Sequence, residues 1–201
     1  MSLHAVLSYF ASNWIEWSGF ITAVVGIWYG TQRRVISWPI TLVSDVLYFV
    51  VFLHASLMSS AWLQFVSLPF TFYGWWHWAH GAKQGQGIRV EKASSASITI
   101  ALLLGAVGSG LWGWLMARQG AALPYVDAAV SVFSLVAGWW ETRKHTANWW
   151  LWIVVNLVSV WEYVQQRLWP TVLLYLILIG LAVLGLREWR RAEAEAQTTF
   201  A

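Results

Sequence analysis

The chain has 201 residues, 59% hydrophobic and only 10% charged, with 18 Trp, no Cys and a formal net charge of +3. Soluble domains carry about 25% charged residues, so a water-soluble fold of this composition would lack the polar surface to cover itself. The absence of Cys excludes a disulfide scaffold, a thiolate nucleophile and a thiolate metal site.

Residues 1–13, MSLHAVLSYFASN, lack a basic leader and a cleavage signature, so no signal peptide is expected and the amphipathic segment reads as at most an interfacial or short extra helix. Seven apolar stretches follow, at 14–31, 36–54, 60–80, 95–117, 124–142, 148–165 and 170–187. A helix of about 20 residues crosses about 30 Å of hydrocarbon, so each stretch is predicted to be a transmembrane helix. The remaining residues, 188–201, mix acids and bases and are expected to form a cytoplasmic tail that reads as a solvated helical end.

The basic residues support this count. Arg33 and Arg34 follow the first span, Lys83, Arg89 and Lys92 the third, Arg143 and Lys144 the fifth, and Arg187, Arg190 and Arg191 the seventh. Only Arg118 and Arg167 fall in the alternate connections. Lys and Arg gather on the cytoplasmic side, which predicts an outside N-terminus, a cytoplasmic C-terminus and an odd number of spans. The pI near 9.4 is then a topological signal rather than a nucleic-acid patch, and no nucleic-acid partner is expected.

Sliding the chain against itself by 111 residues exposes a repeat. It pairs Trp28 with Trp139, Thr31 with Thr142, Arg33 with Lys144, Trp38 with Trp149, Asp45 with Asn156, Gly74 with Gly185 and Trp78 with Trp189. The first three spans thus recur as the last three. Both sets begin on odd spans, so they are parallel repeats with the fourth span left to restore direction. The expected fold is an all-α integral membrane protein: a three-helix repeat at 14–80, a linker helix at 95–117 and a second repeat at 124–187. This 3+1+3 plan is SWEET-like, and such duplicated halves hold their substrate near the midplane.

Ionisable groups inside spans are costly and mark cavities or pathways. Glu16 and Glu141 fall near span ends, whereas Asp45 stands mid-span with no basic residue beside it, and Asn156 holds the equivalent place in the second repeat. Helical spacing puts Trp38, Asp45, Tyr48 and Phe52 on one face, echoed by Trp149, Trp152, Asn156 and Tyr163. Gln64 and Tyr175 form a second polar pair at the same offset. The alternative role for Asp45 and Asn156 is hydrogen bonding between helices. Asp127, one turn beyond Pro124, is a ligand candidate or a helix cap, and Glu162 and Tyr163 are expected toward the outer interface. Most of the Trp residues are expected in the aromatic belts at the two interfaces. Those facing the mid-span polar groups would suit a flat cationic ring, through stacking and cation–π attraction.

Other chemistries find little support. His77 and His80 stand at i, i+3, but His4, His54 and His145 are scattered, so no metal site is expected. GAKQGQG (81–87) lacks the Lys-Ser/Thr of a phosphate-binding loop. Lysines occur only at 83, 92 and 144, all in connections, which excludes a Schiff base within the last span. No hydrolase motif appears, so no catalytic residues and no cofactor are expected.

AWLQFVSLPFTFYGWWHW (61–78), the Asn148, Trp149, Trp152, Ile153 pattern and the stretch from Thr171 to Tyr175 resemble the PnuC family of vitamin transporters over roughly 14–191. The resemblance implies uptake of nicotinamide riboside, or in relatives thiamine or riboflavin, by facilitated diffusion with alternating access across a bacterial inner membrane. It implies trapping of the vitamin by a cytoplasmic kinase, and a homo-oligomer, a trimer being the expectation. Carried over by position, the substrate contacts would be Gln64, Trp149, Trp152, Asn156 and Tyr175. The residues themselves add Asp45 and Tyr48, with Trp38, Asp127 and Tyr163 ranked below. The Asp45/Asn156 pair is swapped between halves relative to the nicotinamide riboside pattern, which leaves the substrate open. A sugar transporter would leave the buried Asp45 unexplained, and a membrane enzyme would need a convergent acid–base or metal site.

Overall fold

The computed structural model describes residues 14–54, 58–83, 90–120, 123–165 and 169–198, and these form seven helices and no strand. They are α1 (Trp14–Thr31), α2 (Ser37–His54), α3 (Met58–Lys83), α4 (Ser95–Arg118), α5 (Pro124–Thr142), α6 (Ala147–Gln165) and α7 (Trp169–Thr198). Every expected span is a helix. At the end, α7 continues without a break through the acidic-basic tail to Thr198, because its last turns are rich in Arg, Glu, Ala and Gln, all good helix formers. The segment 1–13 lies outside the described residues. The chain divides into two compact units, Met1–Ala79 and His80–Ala201.

In the first unit, α1 packs on α2 through small residues. A Cβ at Gly26 would stand 2.7 Å from Thr41 Oγ1 and 3.2 Å from its backbone nitrogen, so only glycine lets the two backbones approach this closely. The Ser44 hydroxyl, buried on α2, donates to Gly19 O of α1 at 3.0 Å. Pro69 stands inside α3 and has no amide to continue the helical ladder there.

In the second unit, α4 is capped by Ser94, whose hydroxyl accepts from the Ser97 amide at 3.1 Å. Gly105, Ser109 and Gly113 line one buried face, the glycines meeting Phe133 and Tyr125 of α5. The opposite face is apolar and bare: Leu103, Leu104, Val107 and Leu111 are 61–66% exposed. Bare aliphatic side chains in such a row suit a lipid environment and would be a liability in water. Both α4 and the Val172–Glu195 part of α7 are long and apolar enough to cross a bilayer.

The two units reproduce the same turn. After α1, Arg33 has φ 57°, its amide donates to Gly30 O and the Arg34 amide to Tyr29 O, both at 3.0 Å. After α5, Lys144 has φ 60°, its amide donates to Glu141 O and the His145 amide to Trp140 O, both at 2.9 Å. Each pair of bonds is a Schellman ending, with a basic residue in the left-handed position that usually favours glycine. Both helices then restart identically, through Ser37 N–H to Arg34 O and Asn148 N–H to His145 O.

Candidate functional site

The first unit supplies a carboxylate set between two helices. Asp45 of α2 is half-buried, and its Oδ2 accepts from the Thr71 hydroxyl of α3 at 2.8 Å. The Ser67 side chain hydrogen-bonds the same carboxylate. The same Ser67 hydroxyl lies 2.7 Å from Gln64 O, so its single hydrogen is shared between the two acceptors. Gln64, Ser67 and Thr71 are spaced i, i+3 and i+7, one face of α3. The sequence pattern singles out Asp45 and Gln64 but misses the two hydroxyls on the Asp45 carboxylate; the helical period counted from Gln64 names Ser67 and Thr71 as neighbours on its face without showing that they meet α2. Tyr48, on the same helix, also touches α1, where a Cβ on Gly19 would lie 3.4 Å from Cδ2 and Cε2 of its ring.

Trp38 is buried, and its indole fills the notch left by Gly74 of α3, with ring atoms 2.3–2.6 Å from where a Cβ would lie. It meets Trp78 edge to face, centroids 5.3 Å apart at 80°. The second unit repeats the arrangement one offset later. Trp149 fills the notch of Gly185 at 2.5–2.6 Å and meets Trp189 at 5.4 Å and 86°. The pairing of four Trp and two Gly that marks the repeat in the sequence is therefore a duplicated knob in a groove, with Trp149 only 2% exposed.

A polar stripe runs along α6. Trp152 is half-buried and hydrogen-bonds through its side chain to Glu141 of α5. Asn156, Ser159 and Glu162 follow at helical spacing, all buried, and the Ser159 hydroxyl is fully enclosed without a hydrogen-bond partner among the described residues. Asp127 of α5 lies close enough to Glu162 for the two carboxylates to repel each other. Asp127 does not cap its helix: Pro124 opens α5, the cap position is Leu123, and no side-chain cap bond forms there. Tyr175 is half-buried on α7. The side chain of Tyr163 lies outside the described residues. Glu141 and Ser159 are not among the expected site residues, and Glu141 shows no signal in sequence beyond standing near a span end.

Several Trp side chains stand open at the surface. Trp62, Trp76, Trp114 and Trp150 each expose about half their surface or more. Arg118 stacks over Trp114 at 3.8 Å and Arg190 over Trp150 at 5.3 Å. The His77 ring lies parallel to Tyr73 at 5.7 Å.

Residues 13–191 match the family model described as nicotinamide mononucleotide transporter. The chain is 25% identical to the nicotinamide riboside transporter PnuC of Escherichia coli K12 over 209 residues, covering 91% of this chain and 87% of that one. It is also 25% identical to the riboflavin/roseoflavin transporter RibM of Streptomyces davaonensis over 190 residues, covering 88% and 84%. The PnuC of Neisseria mucosa is 23% identical over 205 residues, covering 95% and 78%. The crystal structure of the vitamin B3 transporter PnuC superposes with a TM-score of 0.77 at 18% identity, covering 96% of this chain and 87% of that one. Fold, family model and relatives agree along nearly the whole sequence: the chain belongs to the PnuC family of membrane vitamin transporters, and it is not an enzyme.

Proposed function

We propose that the chain takes up nicotinamide riboside across a bacterial inner membrane by facilitated diffusion with alternating access. The observation that carries this reading is the Asp45 carboxylate, held mid-helix by hydroxyls rather than by a base, with the buried amide Asn156 at the matching place in the second unit. A carboxylate with no basic partner among the described residues suits a pyridinium, and Gln64 and Asn156 suit its amide and ribose. Tyr48, Trp152 and Tyr175 supply the aromatic faces. Trp38 and Trp149, each wedged against a glycine of its own unit, act as framework, and Asp127 and Tyr163 are further contacts in this reading.

The duplicated turns and Trp knobs support a 3+1+3 plan of parallel repeats, at 14–80 and 124–187 with the linker at 95–117. The Lys and Arg distribution supports an outside N-terminus and a cytoplasmic C-terminus. Nothing energised is needed within the chain if a cytoplasmic kinase traps the vitamin by phosphorylation, and the working form in this reading is a homotrimer. Riboflavin is the second reading, because RibM is as similar to this chain as is the E. coli PnuC. Thiamine, also a flat cation, is the third.

Calorimetric titration of the purified protein with each of the three vitamins tests the proposal. Binding of nicotinamide riboside alone, lost in Asp45→Ala and Asn156→Ala, is the expected result. Binding of riboflavin or thiamine without the riboside would overturn the substrate and keep the fold.

A further inference from the structure

The α5–α6 turn is held by two segments far from it in sequence. The backbone at Glu91 runs alongside: its amide donates to Lys144 O at 3.0 Å, and the Thr146 amide donates to Glu91 O at 3.4 Å. The Thr146 hydroxyl donates to Glu193 Oε2 at 3.1 Å, and Lys92 Nζ stands 3.8 Å from Glu193 Oε1. Glu193 comes from the extended end of α7, and its side chain is only 12% exposed.

Thr146 immediately precedes α6, where a Thr oxygen ordinarily accepts from the first amides of its own helix. Here the hydroxyl is given instead to a carboxylate from another helix. That carboxylate sits at the N-terminal end of α6, where the partial positive charge of the helix favours it. The matching turn of the first unit agrees bond for bond in its backbone, yet it cannot be held this way. The residue 111 positions before Thr146 is Val35, which has no hydroxyl, and the one before Glu193 is Ala82, which has no carboxylate.

We propose that Glu193 is a positioning residue for transport: through Thr146 it fixes the start of α6, the helix that carries Trp152 and Asn156, and it does so in the second unit alone. This rests on the transporter reading above. A helix whose first turn is held presents its polar stripe in one orientation. Releasing that turn spreads the stripe over several orientations, and apparent affinity falls with the fraction of time it is misplaced.

The test uses the full-length protein in liposomes, with initial uptake of nicotinamide riboside measured against concentration. Thr146→Val keeps the shape and removes the donor, whereas Thr146→Ser keeps the donor. Thr146→Val and Glu193→Ala are expected to raise the half-saturating concentration roughly three- to tenfold, on the scale of losing a helix-end hydrogen bond. The maximal rate per reconstituted protein stays within about twofold, and Thr146→Ser matches the wild type. Loss of folded protein alone would lower the maximal rate and leave half-saturation unchanged. That result, or wild-type values in every variant, overturns the proposal. If the wild type takes up no nicotinamide riboside, the substrate reading fails on its own, and amide exchange at Asn148 and Trp149 decides about Glu193. Faster exchange in Thr146→Val, restored in Thr146→Ser, supports the positioning role, and equal exchange in all three overturns it.

Discussion

Gly185→Ala tests the duplicated Trp knob directly. The added Cβ would lie 2.5, 2.6 and 2.6 Å from three indole atoms of Trp149, while carbon atoms in contact prefer about 3.5–4.0 Å. An overlap of about 1 Å must be relieved. The indole has no free space to enter, since Trp149 is 2% exposed and its partner Trp189 is fully enclosed. Helix separation or an off-rotamer ring is what remains, and overpacking of this kind costs roughly 1–3 kcal/mol. Against it stands the better helix propensity of Ala, up to about 1 kcal/mol. From the middle of that range the net loss is about 1 kcal/mol, or roughly 2–4 °C in apparent Tm for a chain of this size. Gly180→Ala on the same helix is the control, because its Cβ would meet nothing within 4 Å. It should be neutral or raise Tm. Thermal unfolding of both variants in the same detergent decides the matter. Equal Tm values would refute the packing argument, as would failure of Trp149→Leu to recover part of the loss in the Gly185→Ala background.

Other perturbations address separate links. Thr71→Val removes a hydroxyl donor from the Asp45 carboxylate and should cost roughly 1–3 kcal/mol of stability, read by thermal unfolding, with Thr71→Ser close to wild type. Trp152→Phe keeps the ring and removes the N–H that Glu141 accepts; titration with nicotinamide riboside should show about tenfold weaker binding, and unchanged affinity would remove Trp152 from the site. Lys144 occupies the left-handed region at φ 60°, so Lys144→Gly should stabilise by roughly 0.5–1 kcal/mol, the strain relieved exceeding the entropy cost of glycine. Burial pushes the Lys144 ammonium down from its ordinary value, partly opposed by Glu91 nearby. The unfolded chain therefore binds more protons in the window below the ordinary lysine range, and stability rises with pH there. Lys144→Gly should lose that rise, and a pH series of Tm values compares the two.

Much of the architecture is legible in the order of the residues. Residues that pack a helix into its own repeat unit must recur when the unit recurs, so the offset of 111 pairs Trp38 with Trp149 and Gly74 with Gly185. Apolar length places the seven helices, since a run of about 20 such residues has few ways to satisfy its backbone other than as helix. The contacts of polar groups are less accessible. Asp45 and its amide counterpart stand out mid-span, but a single residue's spacing says nothing about which neighbouring helix answers it. Thr71 and Ser67 come from α3, and their distance along the chain hides them.

By itself, then, the sequence determined the seven helices among the described residues, their approximate places and the internal duplication, because these depend on local composition and on residues compared with their own copies. It also carried the family resemblance. Only the tertiary structure decided which side chains meet: that the duplicated Trp rings fill glycine notches, that Trp152 answers Glu141, and that Glu193 reaches Thr146. Those pairings depend on how neighbouring helices rotate and slide against one another. Small residues such as Gly26 and Gly185 permit that approach, and a one-dimensional pattern names them without saying what comes close.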